Sequence, residues 1–151
     1  MTTFLIRDAV HGDMGALRDV FRRSSLSNHG DRANLLAHPD ALELSDLAVG
    51  EGRMRTAVAD GGIVGFATWL CIGDVVELED LFVDPEWMGQ GAGRALVQDL
   101  VAIARKRGVR RIEVTANPHA LAFYEKAGFV VGREVETRFG PAPRMHLQVT
   151  P

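Results

Sequence analysis

The spacing of apolar residues changes several times along the chain, and each change predicts an element. Phe4-Leu5-Ile6-Arg7 is short, partly β-branched and ends at a polar turn, which predicts a first strand. Met14, Leu17, Val20 and Phe21 then fall near the three-and-four spacing of one helix face, with Asp13 as its expected N-cap. From Ser24 to Ser45 the pattern predicts a broken second helix with loops, because Gly30 and Pro39 interrupt it. Met54 to Ala59 and Ile63 to Cys71 are strand-like runs joined by Asp60-Gly61-Gly62, where glycine beside aspartate supplies the positive φ of a tight hairpin. Gly73-Asp74 marks a further turn before Val75 to Val83, so the middle of the chain reads as an antiparallel meander.

From Gly91 to Arg107 the period becomes helical again. Leu96, Leu100 and Ala104 share a face with Ala92 and Ile103 beside it, while Arg94, Gln98 and Arg105 point outward. Arg105, Lys106 and Arg107 complement the helix dipole at its C-terminal end, and Gly108 closes it. Val109 to Thr115 alternates as a strand. Asn117-Pro118 opens a short helix with asparagine as N-cap, Gly128 ends it, and Phe129 packs back. Phe129 to Glu136 and Arg144 to Val149 read as two closing strands. This order predicts an α/β sandwich with a mixed sheet.

Composition narrows the picture. A chain of 151 residues with 46% hydrophobic and 25% charged residues fits one soluble domain over 1–151. A net charge of -3 gives no support for nucleic acid or an anionic membrane as partner. No run approaches the roughly 20 apolar residues of a membrane span, and the N-terminus meets Arg7 and Asp8 before any signal-like segment. One cysteine, Cys71, cannot form an internal disulfide, which points to a reducing cytoplasm. The five histidines, His11, His29, His38, His119 and His146, lack metal-ligand spacing, so no metal is expected.

The segment LEDLFVDPEWMGQGAGRAL, Leu78 to Leu96, carries the candidate chemistry. A strand, a glycine turn and a helix start make an anion site, since the first helical N–H groups lack internal partners and sit at the positive end of the dipole. Removing side chains at Gly89, Gly91 and Gly93 lets a phosphate approach the backbone, and Arg94 adds a charged donor. A plain tight turn packing helix on sheet fits the same glycines. The phosphate loop GxxxxGK[ST] is absent, and a dinucleotide fingerprint would need glycine where Arg94 stands.

Leu81-Phe82-Val83-Asp84-Pro85 with Gly89-Gln90-Gly91-Ala92-Gly93-Arg94-Ala95-Leu96 resembles the acetyl-CoA-binding motif of the GNAT superfamily of N-acyltransferases. Asn117-Pro118-His119-Ala120-Leu121-Ala122-Phe123-Tyr124-Glu125-Lys126-Ala127-Gly128-Phe129 resembles that family's second motif. Met88 stands where the family pattern has arginine or glutamine, with Gln90 nearby. The resemblance implies about seven mostly antiparallel strands flanked by about four helices, with splayed central strands. It also implies that the CoA pyrophosphate lies over Gln90 to Ala95 and that pantetheine runs along Leu81, Phe82 and Val83. The N–H of Val83 would then face the thioester carbonyl.

An acceptor amine must lose a proton before it attacks, and a carboxylate near the thioester can take it. Glu79 and Glu77 share parity on the Val75 to Val83 strand, with Glu79 nearer the expected centre; a bulge would bring Asp80 inward instead. Tyr124 matches the tyrosine that many family members use as general acid toward the CoA thiolate, and Asn117 has two compatible roles, N-cap and contact to pantetheine or substrate. Trp87 is expected to cover or underlie the loop, and Arg22, Arg23 and Arg32 to lie on solvated faces. The expected activity is transfer of the acetyl group of acetyl-CoA to a primary amine by direct attack in a ternary complex. A non-catalytic acyl-CoA sensor and transfer of a longer acyl group remain open alternatives. The acceptor, a small molecule or a peptide, is not legible; in the family its specificity resides in segments corresponding to Ser24–Asp46 and Arg133–Met145, read here as loop-rich. A homodimer through the last strands is a further expectation from the resemblance.

Overall fold

The computed structural model describes residues 2–151, leaving aside the side chains of residues 29 and 30. The reading of His29 as a non-ligand falls on such a side chain and lies outside the described residues; Gly30 does not break a helix as expected, since it sits inside the helix His29–Ala37, and the interruption falls at Ser27 and Asn28. Among the described residues, seven strands and five α-helices follow in chain order: β1 (Leu5–Asp8), α1 (Met14–Leu26), α2 (His29–Ala37), α3 (Leu47–Gly50), β2 (Met54–Ala59), β3 (Gly62–Ile72), β4 (Val75–Val83), α4 (Ala92–Lys106), β5 (Arg111–Thr115), α5 (Leu121–Lys126), β6 (Val130–Thr137) and β7 (Gly140–Gln148). The strand order is β1-β2-β3-β4-β5-β7-β6. Only β4 and β5 pair in parallel among the registers described; β1–β2, β2–β3, β5–β7 and β6–β7 are antiparallel. The mixed, mostly antiparallel α/β sheet expected from the sequence is the sheet observed.

Two compact units share β3 and β4: residues up to Thr68 with Asp80–Leu96, and Trp69–Glu79 with Val97–Pro151. The core of the first is built where α1 lays Met14, Leu17, Val20 and Phe21 against Met54 and Phe66. Those four helix residues are the predicted face, and all are buried. The hairpin between β2 and β3 turns through Asp60 at φ 51° and Gly61 at φ 77°, a two-residue loop of the type that follows strand twist. In the second unit Val76, Leu78, Ile112, Val114 and Met145 are buried on alternate rungs, while Leu100 and Ala104 supply the buried stripe of α4.

Both helix ends in the second unit close as the glycines require. Gly108 takes φ 71°, its N–H donates to Arg105 O, and the N–H of Val109 donates to Ala104 O at 2.9 Å. Val109 thereby finishes α4, so β5 begins at Arg111 and not at 109. Gly128 at φ 102° repeats the motif, with Phe129 N–H donating to Tyr124 O at 2.9 Å.

Three local expectations need correction. Asp13 does not cap α1 with its side chain. It lies at the end of a 3-10 turn, His11–Asp13, that runs straight into the helix, so its carboxylate turns back to accept from Val10 N–H at 2.9 Å and from Arg7. The segment Ser24–Asp46 is largely helical: α1 continues to Leu26, α2 follows, and Pro39–Leu42 forms a 3-10 turn. Arg133–Met145 is mostly strand, since β7 starts at Gly140 and pairs Pro141 and Pro143 with Glu136 and Glu134 on β6.

Candidate active site

The parallel ladder between β4 and β5 runs from Val75↔Arg111 to Leu78↔Val114 and stops, although β4 continues to Val83. β5 follows β7 instead, pairing Thr115 with Arg144, after which Ala116 N–H donates to Pro143 O at 2.9 Å. On its other flank β4 stays tied to β3, with Asp84 N–H donating to Val64 O at 2.8 Å. Beyond Leu78, therefore, the edge of β4 toward β5 carries backbone groups outside the ladder. Such groups require partners. The family resemblance implied that the central strands part here, and the ladder ends at this rung.

β4 leads directly into the glycine turn. Asp84 is 5% exposed; its carboxylate accepts Glu86 N–H at 3.1 Å, capping the 3-10 turn Pro85–Trp87, and is held by the guanidinium of Arg23 on α1. Arg23 is exposed, as expected of a solvated face, and its guanidinium also anchors the buried carboxylate of Asp84 at the mouth of the turn. Trp87 packs edge-on against Phe4, with ring centroids 6.3 Å apart.

The glycines answer a conformational demand. Gly89 has φ 76° and Gly91 φ 97°, values that an L side chain rarely adopts. A β-carbon at Gly89 would meet nothing within 4 Å, and at Gly91 only Phe4 Cε2 at 3.8 Å. The turn is left-handed yet uncrowded, open on the side where side chains are missing. Ala95 N–H donates to Gly91 O at 2.9 Å, the first bond of α4. Helical geometry then leaves the N–H groups of Ala92, Gly93 and Arg94 without intrahelical acceptors. Gln90 and Arg94 are exposed around this cluster, and Met88 is 54% exposed. Leu81, Phe82 and Val83 are half-buried along the strand that leads into it, with Phe82 packed edge-on to Phe21 at 4.8 Å. Chemically, this is a row of fixed donors at the positive end of a helix dipole, suited to a diphosphate.

The carboxylates separate by environment. Glu79 is exposed. Asp80 is half-buried and accepts the hydroxyl proton of Thr68 at 2.6 Å, and Thr68 is itself 2% exposed. Glu77 is held by Arg144: Nη1 donates to Oε2 at 2.6 Å, and Nη2 donates to Oε1. Arg144 also reaches Glu113 at 3.0 Å and the Thr115 hydroxyl at 3.0 Å. Hydrogen bonding to Glu77, ahead of the opposing cost of burial, raises the Arg144 pKa above its ordinary value.

In the second unit, Asn117 accepts His119 N–H at 2.9 Å and caps the turn Pro118–Ala120, which runs into α5. Tyr124, on α5, is 6% exposed. Its ring meets Phe129 at 5.3 Å and Phe123 at 5.2 Å, both edge-on. Cys71 is partly buried on β3. Among the described residues, no group of three or more His, Cys, Asp and Glu side chains is placed to hold a metal ion. Among the described residues, no helix is long and apolar enough to cross a membrane.

Sequence reasoning missed Arg144, Arg23, Thr68 and Gly65. The Asp84-Pro85-Glu86 run is a cap signal that points to a structured Asp84, but nothing local identifies its cationic partner on α1. Arg144 meets glutamates that lie 67 and 31 residues away in sequence.

Comparison with known proteins agrees with this geometry. The family described as Acetyltransferase (GNAT) family matches residues 16–129. Glucosamine 6-phosphate N-acetyltransferase of Trypanosoma brucei brucei is 31% identical over 126 residues, covering 73% of this chain and 86% of that protein. Chloroplastic serotonin N-acetyltransferase 2 of Oryza sativa subsp. japonica is 30% identical over 134 residues, 85% of this chain and 62% of the rice protein. Among solved structures, the PaiA N-acetyltransferase of Thermoplasma acidophilum, in complex with coenzyme A, superposes with a TM-score of 0.77 at 20% identity, over 97% of this chain and 99% of that one. With the family matched across both motifs, and with relatives that are acetyltransferases, this chain belongs to the GNAT family of acetyltransferases.

Proposed function

We propose that this enzyme transfers the acetyl group of acetyl-CoA to a primary amine by direct attack in a ternary complex. One observation carries the reading: the free edge of β4 runs into an uncrowded left-handed turn and then into the open N–H groups of α4. In this proposal the N–H groups over Gln90 to Ala95 hold the CoA diphosphate, with Met88 and Gly89 at the approach and Arg94 adding charge. Leu81, Phe82 and Val83 pair with pantetheine, and Asn117 contacts it. The N–H of Val83 donates to the thioester oxygen as negative charge develops there, stabilising the transition state more than the ground state.

Glu79 takes the proton of the acceptor ammonium, directly or through one water. The amine nitrogen bonds to the carbonyl carbon as the carbon–sulfur bond breaks; Tyr124 gives its proton to the departing thiolate, and the second proton shed by the attacking nitrogen restores the tyrosine hydroxyl. Glu77, the second candidate base, has both oxygens engaged by Arg144, which favours Glu79. The proposal treats 1–151 as one GNAT domain acting in the cytoplasm on a small-molecule or peptide amine. A homodimer belongs to the same proposal, supported by β6, which lies at the edge of the sheet and is exposed along nearly its whole length.

The test couples calorimetry with CoA to a thiol-release assay across a panel of amines. Saturable CoA binding with amine-dependent release of free thiol is expected. Tight binding without turnover on any amine makes the protein a sensor, and faster release from propionyl- or succinyl-CoA shifts the acyl group.

A further inference from the structure

Arg144 lies on β7, yet its guanidinium crosses β5 to reach β4. Nη1 donates to Glu77 Oε2 at 2.6 Å and to Thr115 Oγ1 at 3.0 Å. Nη2 donates to Glu77 Oε1 and to Glu113 Oε1 at 3.0 Å. The three charged side chains are largely covered, at 19% exposure for Arg144 and Glu77 and 23% for Glu113. Glu77 and Glu113 are direct partners in the β4–β5 register, one rung before the last pair, Leu78↔Val114. Like charges opposite one another on a sheet destabilise the pairing. Here one cation bridges them just before the strands part.

We propose that Arg144 is a positioning residue for the acyl-donor edge of β4: by locking Glu77 to Glu113 it fixes the rung at which β4 leaves β5. The inference rests on the reading of that edge as the pantetheine-binding strand. Physically, the bidentate fork orients Glu77 and cancels its repulsion with Glu113, so the ladder stays closed up to Leu78 and opens only beyond it. Without Arg144, Glu113 keeps Arg111, whose Nε lies 3.0 Å from Glu113 Oε2. Glu77 would then face Glu113 across the sheet with its charge uncompensated. Partly covered charges that lose a partner repel strongly. β4 swings away earlier, and the free edge no longer presents its N–H and C=O groups at the spacing pantetheine needs. The role is distinct from proton transfer, since Arg144 touches neither Glu79 nor the reacting atoms in this account.

The experiment measures CoA dissociation constants and melting temperatures for the wild type, Arg144→Met, Arg144→Lys, Glu113→Gln, and the double variant Arg144→Met with Glu113→Gln. Arg144→Met is expected to weaken CoA binding about tenfold, and the double variant, which removes the like-charge pair, to recover most of the loss. Arg144→Lys, a point charge without the fork, is expected to fall between wild type and Arg144→Met. Unchanged CoA affinity in a folded Arg144→Met protein overturns the proposal, as does a loss that Glu113→Gln fails to restore. If Arg144→Met does not fold, Arg144→Lys decides: affinity equal to wild type overturns it. A wild-type protein that fails to bind CoA refutes the reading of the β4 edge itself, an outcome distinct from any of these.

Discussion

A β-carbon placed on Gly65 of β3 would stand 2.9 Å from the carbonyl oxygen of Phe82 on β4. Real β-carbons do not approach backbone so closely, so these strands touch there only because residue 65 is glycine. The preceding residue, Val64, is bulged: the β2 register steps from Ala57↔Gly65 to Val58↔Ile63, and Val64 O accepts Asp84 N–H. The bulge and the glycine together set the end of β4, where the proposed thioester donor Val83 lies.

Gly65→Ala should therefore push Phe82 O outward, lowering stability by about 1–3 kcal/mol, as overpacking does, and weakening CoA binding. Chemical denaturation and calorimetry read the two effects separately. Wild-type values in both would mean that β4 moves aside freely.

Tyr124→Phe tests the hydroxyl alone. The ring packs edge-on with Phe123 and Phe129, and phenylalanine keeps those contacts. Turnover should fall by roughly 10²-fold with CoA affinity nearly intact. An unchanged rate removes Tyr124 as the acid.

At Gly91, φ of 97° penalises any side chain, while the nearest neighbour of an added β-carbon is only at contact distance. Gly91→Ala should thus cost about 1–2 kcal/mol of stability through backbone strain. Gly91→Val should add a larger loss of CoA affinity, because its branches occupy the open face of the turn. If both variants bind CoA as wild type does, the diphosphate lies elsewhere.

The Arg7–Asp13 pair makes a prediction about pH. Hydrogen bonding from Arg7, with smaller help from Val10 N–H, holds the Asp13 carboxyl below its ordinary value. A carboxyl depressed in the folded state stabilises it above the unfolded pKa, near about 4, and that contribution is lost as pH falls through the folded value. Asp13→Asn should melt earlier than wild type at pH 7, and the gap should narrow as pH drops below about 4. A gap independent of pH would mean that the Arg7–Asp13 charge pair does not stabilise the fold.

Much of the architecture was legible because its signals are local. The Asp60-Gly61 hairpin, the Gly108 and Gly128 helix ends and the Asn117 cap each follow from side-chain size or hydrogen-bonding reach within a few residues. The two motifs that led to the family lie in such stretches. The misplaced readings share a different cause. Asp13 looked like a cap, but a cation six residues earlier competes for it. Arg23 is solvated as read, but its tie to Asp84, 61 residues away, has no local signal. Arg133–Met145 looked loop-rich, yet most of it is strand, and Gly140–Gln148 pairs with strands on both sides.

The sequence by itself determined the order of elements, the glycine turn before α4 and the family, since short-range sterics and hydrogen-bonding capacity write these into neighbouring residues. Only the tertiary structure decided which carboxylates are covered and which is exposed. Glu77 and Glu79 are indistinguishable by spacing, and what separates them is an arginine delivered from β7 across β5. Charge pairing acts through space at about 3 Å, a distance that carries no memory of separation along the chain.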